Sequence, residues 1–400
     1  MAETGTVSDS ISPEPLTSLL EWCEEKRNTE PVSPAELPGT WNVFSYADVA
    51  AALTDHATYS SDFRHLIPSD PDLELLSKGM FIALDPPEQR RLRTLASKAF
   101  TPRLIAGLEP RITAVTADLL DAVKGKDRFD MVADLGYPLP VTVIAEMLGL
   151  PADTRGQFLH WTETILNNNT KERSLPTEEE TAEFKLLARE MNAFLLDQIG
   201  QRRARPGEDL LTKLVQASED GERLDDAEIV GFIALMLVAG HVTTTALLGN
   251  TVLCLDRNPH LWAELRADRA LVPAAIEEAM RMRPPTVRVP RITTREVELG
   301  GTVLPAGSVL TLWFVSANRD AEQFAEPDVF DVHRNPNRHV SFGHGIHHCL
   351  GAPLSRLESR IALNMILDRY REVTVDWAGT DFYHPMSLIG PKKLPLDVAA

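Results

Sequence analysis

The stretch that decides the fold runs from Arg338 to Arg360 and reads Arg-His-Val-Ser-Phe-Gly-His-Gly-Ile-His-His-Cys-Leu-Gly-Ala-Pro-Leu-Ser-Arg-Leu-Glu-Ser-Arg. Glycines punctuate the part before Cys349, whereas apolar residues recur at helical spacing after it. These apolar residues are Leu350, Leu354, Leu357, Ile361 and Met365. Pro353 falls in the first turn of the predicted helix, where its missing N–H leaves no hydrogen bond unmade. The pattern therefore predicts a tight loop that delivers the Cys349 sulfur to the start of a helix.

The predicted position of Cys349 suits a metal ligand. At a helix N-terminus, unpaired backbone N–H groups and the helix dipole favour a thiolate over a thiol. Gly343, Gly345 and Gly351 let the backbone bend tightly and approach a flat, bulky group, and Phe342 is placed to pack against that group. A haem with one axial cysteine thiolate fits these features. Because no Cys-x-x-Cys-His motif is present, we expect non-covalent haem b.

Two simpler interpretations of Cys349 stay open at this point. His339, His344, His347 and His348 could form a zinc site with the cysteine, but the paired spacings typical of zinc sites are absent. A buried, inert cysteine is the ordinary state of an isolated residue. That interpretation leaves unexplained the pattern Phe-Gly-x-Gly-x-His-x-Cys-x-Gly around Cys349.

The loop from Phe342 to Gly351 resembles the haem-binding loop of the cytochromes P450, and the resemblance extends from about Trp41 to Leu396. It implies a mainly α-helical cytochrome P450 fold with small β-sheets, in which residues 16–400 form a single haem-thiolate domain. Residues 1–15 are polar and acidic without an apolar core, which predicts a flexible tail and no signal peptide or membrane anchor.

The composition of the 400 residues bounds the remaining possibilities. A hydrophobic content of 44% supplies a large core. The formal net charge of −18 argues against nucleic acid and anionic membrane surfaces as partners. Cys23, Cys254 and Cys349 are the three cysteines of the chain, too few for a disulfide framework. We therefore expect a reducing cytoplasm.

A second decisive stretch, Ile229 to Leu255, contains 27 residues without Asp, Glu, Lys or Arg. It is long enough to span a bilayer. A central polar cluster, Gly240 to Thr245, and acidic flanks without a positive-inside bias favour instead the central helix of a large soluble core.

By resemblance to the family, the middle of this helix forms the groove where dioxygen binds. Ala239 and Gly240 let a flat ligand approach the helix, and Thr243 would hydrogen-bond dioxygen and help deliver protons. The acid that usually precedes this threonine is absent, because position 242 holds Val242. Another donor is then needed, such as ordered water, His241 or a group on the substrate.

Other matches to the family place residues around the edge of the haem. Arg93, Arg291 and His339 resemble residues that bind the haem propionates, a task suited to a guanidinium. Gln89 stands where many relatives have a propionate-binding histidine, and this departure argues against Gln89 as a haem contact.

A brace behind the loop is also expected. Glu278 and Arg281 are three residues apart, so they share one helix face and can pair. The resemblance adds Arg334 as the third member of this brace. All three are predicted to be structural and not catalytic.

The walls of the substrate pocket come partly from irregular stretches. Ser60 to Leu84 lacks a clear period, which predicts a long irregular loop along one wall. Asp85 is predicted to be the N-cap of the following helix, with Pro86 at its first position. The candidate pocket residues are Phe63, Leu66, Ile67, Met80, Phe81, Val287, Val289, Met386 and Leu388.

These features predict insertion of one oxygen atom from dioxygen into a C–H bond or double bond of an apolar small molecule, such as a secondary metabolite. Cys349 would supply the electron density that favours O–O cleavage. The chain has no flavin or iron–sulfur motif, so its electrons must come from separate proteins. The resemblance implies a ferredoxin and its NAD(P)H-dependent reductase as these partners. We also expect a monomer. Two rivals stay open. One is a peroxide-using or non-redox haem-thiolate enzyme, motivated by Val242, and the other is a non-catalytic haem sensor.

Overall fold

A computed structural model of the chain describes residues 16–64, 70–151, 177–219 and 221–399, together with residues 154, 156, 157, 160, 161 and 164. In the first half of the described chain the α-helices are α1 (Leu16–Thr29), α2 (Tyr46–Thr54), α3 (Pro71–Lys78), α4 (Glu88–Ala99), α5 (Pro102–Gly107), α6 (Glu109–Ala122) and α7 (Pro138–Met147). In the second half they are α8 (Glu178–Ala204), α9 (Leu210–Gln216), α10 (Asp226–Asp256), α11 (His260–Ala267), α12 (Val272–Met282), α13 (Phe314–Ala317) and α14 (Ala352–Arg369). The predicted tail, residues 1–15, lies outside the described residues.

The strands are short. They are β1 (Val32–Pro34), β2 (Thr40–Val43), β3 (Tyr59–Ser60), β4 (Arg128–Asp130), β5 (Ser218–Glu219), β6 (Glu222–Arg223), β7 (Arg288–Thr293), β8 (Val297–Leu299), β9 (Thr302–Leu304), β10 (Val309–Trp313), β11 (Glu372–Val375), β12 (Asp381–Phe382), β13 (Pro391–Lys393) and β14 (Pro395–Ala399). The largest sheet has the order β1-β2-β10-β7-β3, in which β2 and β10 are parallel and the other neighbours antiparallel. Its register sets Arg291 of β7 opposite Leu310 of β10, and both residues are buried.

The central helix of the fold is α10. It begins with a capping box, in which the Glu228 N–H donates to Asp225 Oδ1 at 2.7 Å and the Asp225 N–H donates to Glu228 Oε2 at 2.9 Å. By length and composition α10 is the one helix of the described chain that could cross a membrane. However, 72% of its apolar 18-residue stretch is buried inside the fold. The helix therefore forms core, as the polar cluster at its centre predicts.

The helix that follows the cysteine loop is α14, and it packs against α6, α10 and α12. Leu354, Leu357 and Ile361 from the predicted apolar stripe are buried. Pro353 lies in the first turn, as predicted. The start of α14 thus has a fixed position relative to α10, because both helices belong to the same core.

Two local predictions were wrong. Ser60 to Leu84 is not wholly irregular, because α3 forms within it and packs against α8 and α10. Tertiary contacts stabilise this short helix, whose own periodicity is weak. Asp85 does not cap α4, which begins at Glu88; the Asp85 carboxylate instead accepts hydrogen bonds from the Ser60 hydroxyl and, at 3.0 Å, from the Ser61 N–H.

A contact between two glycines seats α3 on the central helix. A Cβ atom on Gly231 of α10 would lie 2.7 Å from both the Gly79 Cα and the Leu76 carbonyl oxygen, closer than real Cβ atoms come. Backbone atoms of packed elements cannot move aside as the tip of a side chain can. Two residues after Gly79, Phe81 stacks on Phe232 of α10 with ring centroids 6.0 Å apart. The glycine contact therefore fixes the position of a predicted wall of the substrate pocket.

Gly231→Ala is expected to lower the free energy of unfolding by about 1–3 kcal/mol, because the added methyl group forces α3 away from α10. Gly200→Ala is the matched control, since it adds the same methyl group in α8 where nothing lies within 4 Å. The control should be neutral or stabilising by up to about 1 kcal/mol. Urea unfolding of the three proteins measures the difference, and equal stability of Gly231→Ala and wild type would show that α3 does not rest on α10.

Candidate active site

The loop before α14 holds Cys349 in a fixed turn. Gly343 and Gly345 have φ values of +69° and +63°, a region that L side chains rarely adopt. The Cys349 N–H donates to the Phe342 carbonyl at 2.8 Å and closes the turn. Gly351 has an ordinary φ of −80°, so its predicted role in bending the backbone is not required. The sulfur is delivered three residues before the first residue of α14.

The Cys349 side chain is exposed, whereas Cys23 and Cys254 are buried. This exposure argues against an inert cysteine. Although the side chain is exposed, protein atoms around the sulfur reduce its hydration and raise the pKa of the Cys349 thiol. The N–H groups of Gly351 and Ala352 and the nearby arginines act in the opposite direction. The predicted preference for a thiolate is therefore wrong for the protein alone: the helix start lowers the pKa of Cys349, but desolvation outweighs it and the net pKa is raised. Ionisation of the thiol is left to a bound metal, which deprotonates a coordinating thiol outright.

A buried ion network stands behind the loop. Glu278 and Arg281 are both 0% exposed and share two hydrogen bonds of 2.9 and 2.8 Å. Glu278 also accepts hydrogen bonds from Arg334 Nε and Asn337 Nδ2 at 3.0 Å each, and from the Asp331 N–H at 3.1 Å. Burial would raise the pKa of Glu278, but these donors lower it below its usual value. The carboxylate is therefore ionised and satisfied on both oxygens.

Asn318 connects this network to the cysteine loop. Its carbonyl oxygen accepts from Arg281 Nη1 at 2.9 Å. Its side chain donates to Ser341 Oγ at 2.7 Å and accepts from the Val340 N–H at 2.9 Å. Ser341 Oγ in turn donates to the Met280 carbonyl at 2.7 Å. Sequence reasoning missed Asn318 and Ser341, because no spacing in the sequence links them to each other.

Two side chains of α4 hold the other half of the loop. Arg93 donates from Nη1 to the Ile346 carbonyl at 2.9 Å and from Nη2 to the His348 carbonyl at 2.6 Å. Gln89, buried, donates from Nε2 to the same Ile346 carbonyl at 2.8 Å. Gln89 therefore supports the cysteine loop. Sequence reasoning noted only that Gln89 replaces the histidine of many relatives, and did not predict this role. The Arg93 guanidinium also lies near the Cys349 sulfur, as their electrostatic coupling shows.

Arg291 and His347 are polar residues whose donors lack charged partners in the described part of the chain. Arg291 is 6% exposed, its Nη1 donates to the Pro290 carbonyl at 2.7 Å, and no carboxylate of the described residues lies within 4.0 Å of its guanidinium. Burial lowers the pKa of Arg291 to about 10. Both ring nitrogens of His347 are buried and have no hydrogen-bond partner among the residues that the structure describes. Burial together with the charge of Arg291 lowers the pKa of His347 to about 4.

Buried donors of this kind need an acceptor, and an anionic group that is not part of the chain supplies one. The carboxylates of a haem fit Arg291 and His347 in this respect. Sequence reasoning selected Arg291 but missed His347. The position of His347 inside the pattern Gly-x-His-x-Cys was the signal that could have identified it.

His339 has a different environment. Its Nε2 lies 3.1 Å from Glu277 Oε2, and Glu277 also accepts two hydrogen bonds of 2.7 Å from Arg356. Burial would raise the pKa of Glu277, but hydrogen bonds from Arg356 and His339 lower it to about 2. The Arg356 guanidinium carbon lies 4.4 Å from the centroid of the Phe342 ring. The contacts of His339 therefore do not support its predicted role as a propionate ligand.

One face of the central helix α10 is partly exposed near its middle. Ala239 is exposed, and Met236, Gly240 and Thr243 are partly exposed, in a helix that is otherwise mostly buried. Their spacing of three and four residues places them on one face. The Thr243 hydroxyl donates to the Ala239 carbonyl at 2.7 Å. This stripe, Met236, Ala239, Gly240 and Thr243, can therefore border a bound ligand.

The same part of α10 meets the start of α14. Thr244 Oγ1 lies 3.1 Å from Ser355 Oγ, so a hydrogen bond joins the two helices. Because Ser355 follows Cys349 by only six residues, the cysteine loop and the stripe of α10 belong to one region of the fold. This region brings together Cys349, Ala239, Gly240 and Thr243.

His241 does not share that face. It is 1% exposed, its Nδ1–H donates to the Leu237 carbonyl at 2.5 Å, and its ring packs edge-on against Tyr137. Burial lowers the pKa of His241 to about 4, so the ring is neutral at pH 7. The structure therefore does not support His241 as the proton donor that the sequence suggests. Val242 is also buried, in an apolar cluster with Ala246 and Leu388.

The predicted pocket residues lie around this region in several clusters. Phe81 is buried against Phe232, and Leu388 contacts the cluster of Val242. Val287 and Met386 share a further apolar cluster. The remaining described candidates, all partly buried, are Phe63, Met80 and Val289. Leu66 and Ile67 lie outside the described residues.

Zinc receives no support from the geometry. Among the residues that the structure describes, no group of three or more His, Cys, Asp or Glu side chains is arranged to hold a metal ion. The histidines near Cys349 have other environments, as His339 and His347 show.

Comparison with known proteins agrees with this geometry. The sequence profile of the Cytochrome P450 family matches residues 39–394. Cyclomarin C epoxidase CymV of Salinispora arenicola is 42% identical to the chain, over 94% of this chain and 95% of its own length. Erythromycin C-12 hydroxylase of Saccharopolyspora erythraea is 41% identical, over 95% of this chain and 94% of its own length.

The solved structures give the same result. HmtT, which is involved in himastatin biosynthesis, is 46% identical, with 94% of this chain and 96% of HmtT covered at a TM-score of 0.85. The predicted fold class, mainly helical with small sheets in one domain, is confirmed. The chain belongs to the cytochrome P450 family of monooxygenases.

Proposed function

We propose that the protein is a haem-thiolate monooxygenase that inserts one oxygen atom from dioxygen into an apolar small molecule. The observation that carries the proposal is the exposed Cys349 sulfur, held by a braced loop in the region where α10 exposes Ala239, Gly240 and Thr243. Oxygen insertion needs an electron-rich metal ligand together with a hydroxyl that can hold or pass a proton. Cys349 and Thr243 provide those two groups.

The residues present fit haem b. Cys349 would ligate the iron. Arg291, which has no carboxylate partner among the described residues, and His347, whose ring nitrogens have no hydrogen-bond partner there, would bind the propionates. Arg93 adds positive charge near His347. The haem supplies the redox chemistry that activates dioxygen.

The chain's own residues position the substrate and control protons. Gly240 was expected to let a flat group approach the backbone, but a Cβ atom there would lie 2.8 Å from Ile144 Cδ1, so its missing side chain makes room for α7. Thr243 Oγ1 is a proton carrier on this surface. Val242 offers no proton, because its side chain is a hydrocarbon. This side chain packs against Leu388 and Ala246.

This apolar cluster favours one rival function. An enzyme that takes hydrogen peroxide as its oxygen source receives protons with its oxidant and does not need an acid beside Thr243. Dioxygen as oxidant requires that protons arrive from elsewhere in the protein. The two functions differ in the oxidant that supports turnover.

The protein with bound haem is expected to form an oxygenated product from isotope-labelled dioxygen, NAD(P)H, a ferredoxin and its reductase, with one labelled atom per product molecule. Cys349→Ser should lose this activity entirely, because the serine hydroxyl does not replace the thiolate as electron donor. Mass spectrometry of the product measures the label. Cys254→Ser is the control, since Cys254 is buried in α10 outside the loop.

Two results would contradict the proposal. Full turnover by Cys349→Ser would remove the thiolate from the reaction. Product formed with peroxide but never with dioxygen and reductant would establish the rival function.

The substrate class rests on the relatives and the pocket. Two of the relatives named above are a cyclomarin C epoxidase and an erythromycin C-12 hydroxylase. The described pocket walls are largely apolar. We therefore infer an apolar secondary metabolite as substrate. Screening such compounds for a spin-state change of the ferric haem identifies the ligand directly.

A cationic surface beside the cysteine loop supports a ferredoxin as electron donor. A groove of about 590 Å³ lies between α4 and the loop, and Arg90, Arg93, Lys98 and Ile346 are among its lining residues. Arg90 and, in α5, Arg103 are exposed, and neither forms an ion pair within the described residues. Unpaired cations on a chain with a net charge of −18 favour an acidic partner at this face. We place the enzyme, as a monomer, in the cytoplasm with such a partner.

Arg90→Glu combined with Arg103→Glu is expected to slow haem reduction by reduced ferredoxin roughly tenfold at low salt, because the docking charges are reversed. Reduction by dithionite should keep its wild-type rate. Arg371→Glu is the control, since Arg371 lies beyond the far end of α14, roughly 27 Å along an 18-residue helix. Stopped-flow absorbance measures the rates, and an equal ferredoxin rate in both variants would place the docking surface elsewhere.

A further inference from the structure

Glu277 of α12 joins the two ends of the cysteine loop. Arg356 of α14 donates to both of its carboxylate oxygens, from Nε and from Nη2, at 2.7 Å each. His339, which precedes the loop, holds the same carboxylate through Nε2 at 3.1 Å. Because His339 Nδ1 accepts a hydrogen bond from the Ser341 N–H at 3.3 Å, its Nε2 carries a proton that it donates to Glu277. An imidazole N–H therefore orients the carboxylate that orients the Arg356 guanidinium.

This cluster is more ordered than a typical ion pair at a protein surface. Exposed pairs are held loosely and contribute little to stability. Here two parallel N–H···O bonds fix the plane of the guanidinium, and the side chains of Glu277 and Arg356 are only 27% and 40% exposed. Burial would raise the pKa of Glu277, but the hydrogen bonds from Arg356 and His339 lower it to about 2. Both members of the pair therefore carry a full charge at pH 7.

Arg356 faces the ligand end of the loop. Its guanidinium carbon lies 4.4 Å from the centroid of the Phe342 ring, within the distance of a cation–π contact. The Phe342 carbonyl accepts the Cys349 N–H at 2.8 Å. The charge of Arg356 also acts on the Cys349 sulfur, with which it is electrostatically coupled. A fixed cation thus lies behind the predicted ligand of the iron.

Arg93 is a second cation near the sulfur, but its partners differ. Its two donors go to the carbonyls of Ile346 and His348, which are neutral. The charge of Arg356 is instead opposed by the carboxylate of Glu277 at hydrogen-bond distance. The electrostatic effect of Arg356 at the sulfur therefore depends on the balance of charge within the pair.

We propose that Arg356, held by Glu277 and His339, is a positioning residue that sets the reduction potential of the haem on Cys349. This inference rests on the haem-thiolate function proposed above. Reduction of the ferric haem adds one electron, which the ferredoxin supplies in turnover, and breaks no bond. The haem and its sulfur ligand become more negative by one charge, so the Arg356 cation favours the reduced state and the Glu277 anion opposes it.

The potential of the protein with bound haem tests this without turnover, by titration with dithionite in the presence of redox dyes. Arg356→Met removes the charge and keeps an unbranched stem against Phe342. It should lower the equilibrium constant for reduction roughly tenfold, which is about 59 mV for one electron. Arg356→Lys keeps the charge and should stay within about threefold of the wild type.

Glu277→Gln predicts a shift of the opposite sign. The glutamine carbonyl still accepts a hydrogen bond from Arg356, while the negative charge is lost. The equilibrium constant for reduction should therefore rise, roughly threefold. A merely structural role would not produce opposite signs, because both substitutions weaken the same contact.

Arg360 and Glu109 provide the matched controls. Arg360 follows Arg356 by four residues on the same face of α14, is also 40% exposed, and pairs with Glu109 of α6 at 2.9 Å. Arg360→Met and Glu109→Gln remove the same two charges one helical turn farther along α14. Each should change the equilibrium constant less than about twofold, because solvent screens charges at the longer distance.

The outcomes separate this inference from the proposed function. Wild-type potentials in both Arg356→Met and Glu277→Gln, shifts of the same sign in the two, or an equal shift in Arg360→Met would overturn the role of Arg356. If Arg356→Met takes up no haem, the sign of the shift in Glu277→Gln decides. Each of these results leaves the monooxygenase intact where the ferrous carbonyl complex keeps its red-shifted Soret band. A wild type without that band would overturn the proposed function, and this inference with it.

Discussion

The site depends on the buried carboxylate of Glu278 and the two guanidinium groups around it. Arg281 and Arg334 both donate to this carboxylate, and Arg281 reaches onward to the carbonyl of Asn318. Asn318 then holds the backbone where the cysteine loop begins. Breaking a buried pair of this kind by removing one partner costs about 3–5 kcal/mol, because a charge is left unpaired inside the protein. The position of the Cys349 sulfur is thus set by residues that never touch a ligand.

The loop is held from two directions, and this has a chemical consequence. The ion network fixes its beginning, while Arg93 and Gln89 of α4 fix the carbonyls of Ile346 and His348 near its end. Carbonyls that are occupied in this way cannot turn toward the sulfur. The N–H groups of Gly351 and Ala352 face the sulfur instead and lower the pKa of the thiol. A thiolate formed on metal binding would meet donors already in place, so little reorganisation is needed.

Proton supply is the feature that sets this chain apart from the expected pattern. The family pattern has an acid next to the threonine of the central helix, whereas here Val242 packs with Leu388 and Ala246. His241, the nearest titratable alternative, is buried on another face of α10 with its pKa lowered to about 4. Neither Val242 nor His241 therefore offers an acidic proton beside Thr243.

Sequence reasoning succeeded where the signal is local. The glycine positions before Cys349, the apolar stripe of α14 and the polar interruption of α10 each lie within one continuous stretch, and the structure contains all three. Reasoning failed where a partner lies far along the chain. The hydrogen-bonded pairs Gln89–Ile346, Asn318–Ser341 and His339–Glu277 each join residues that are distant in sequence. No local pattern encodes these pairs. The helix α3 escaped detection for the same reason, since its stability comes from the contact of Gly79 with Gly231.

The central claim is that one cysteine sulfur serves as the axial ligand of a haem in this protein. The absorbance spectrum of the ferrous carbonyl complex of the purified wild type tests it most directly. A thiolate ligand predicts the strongly red-shifted Soret band that is characteristic of this ligation. A Soret band at the wavelength of nitrogen-ligated haems, in protein that is folded and saturated with haem, would contradict the account.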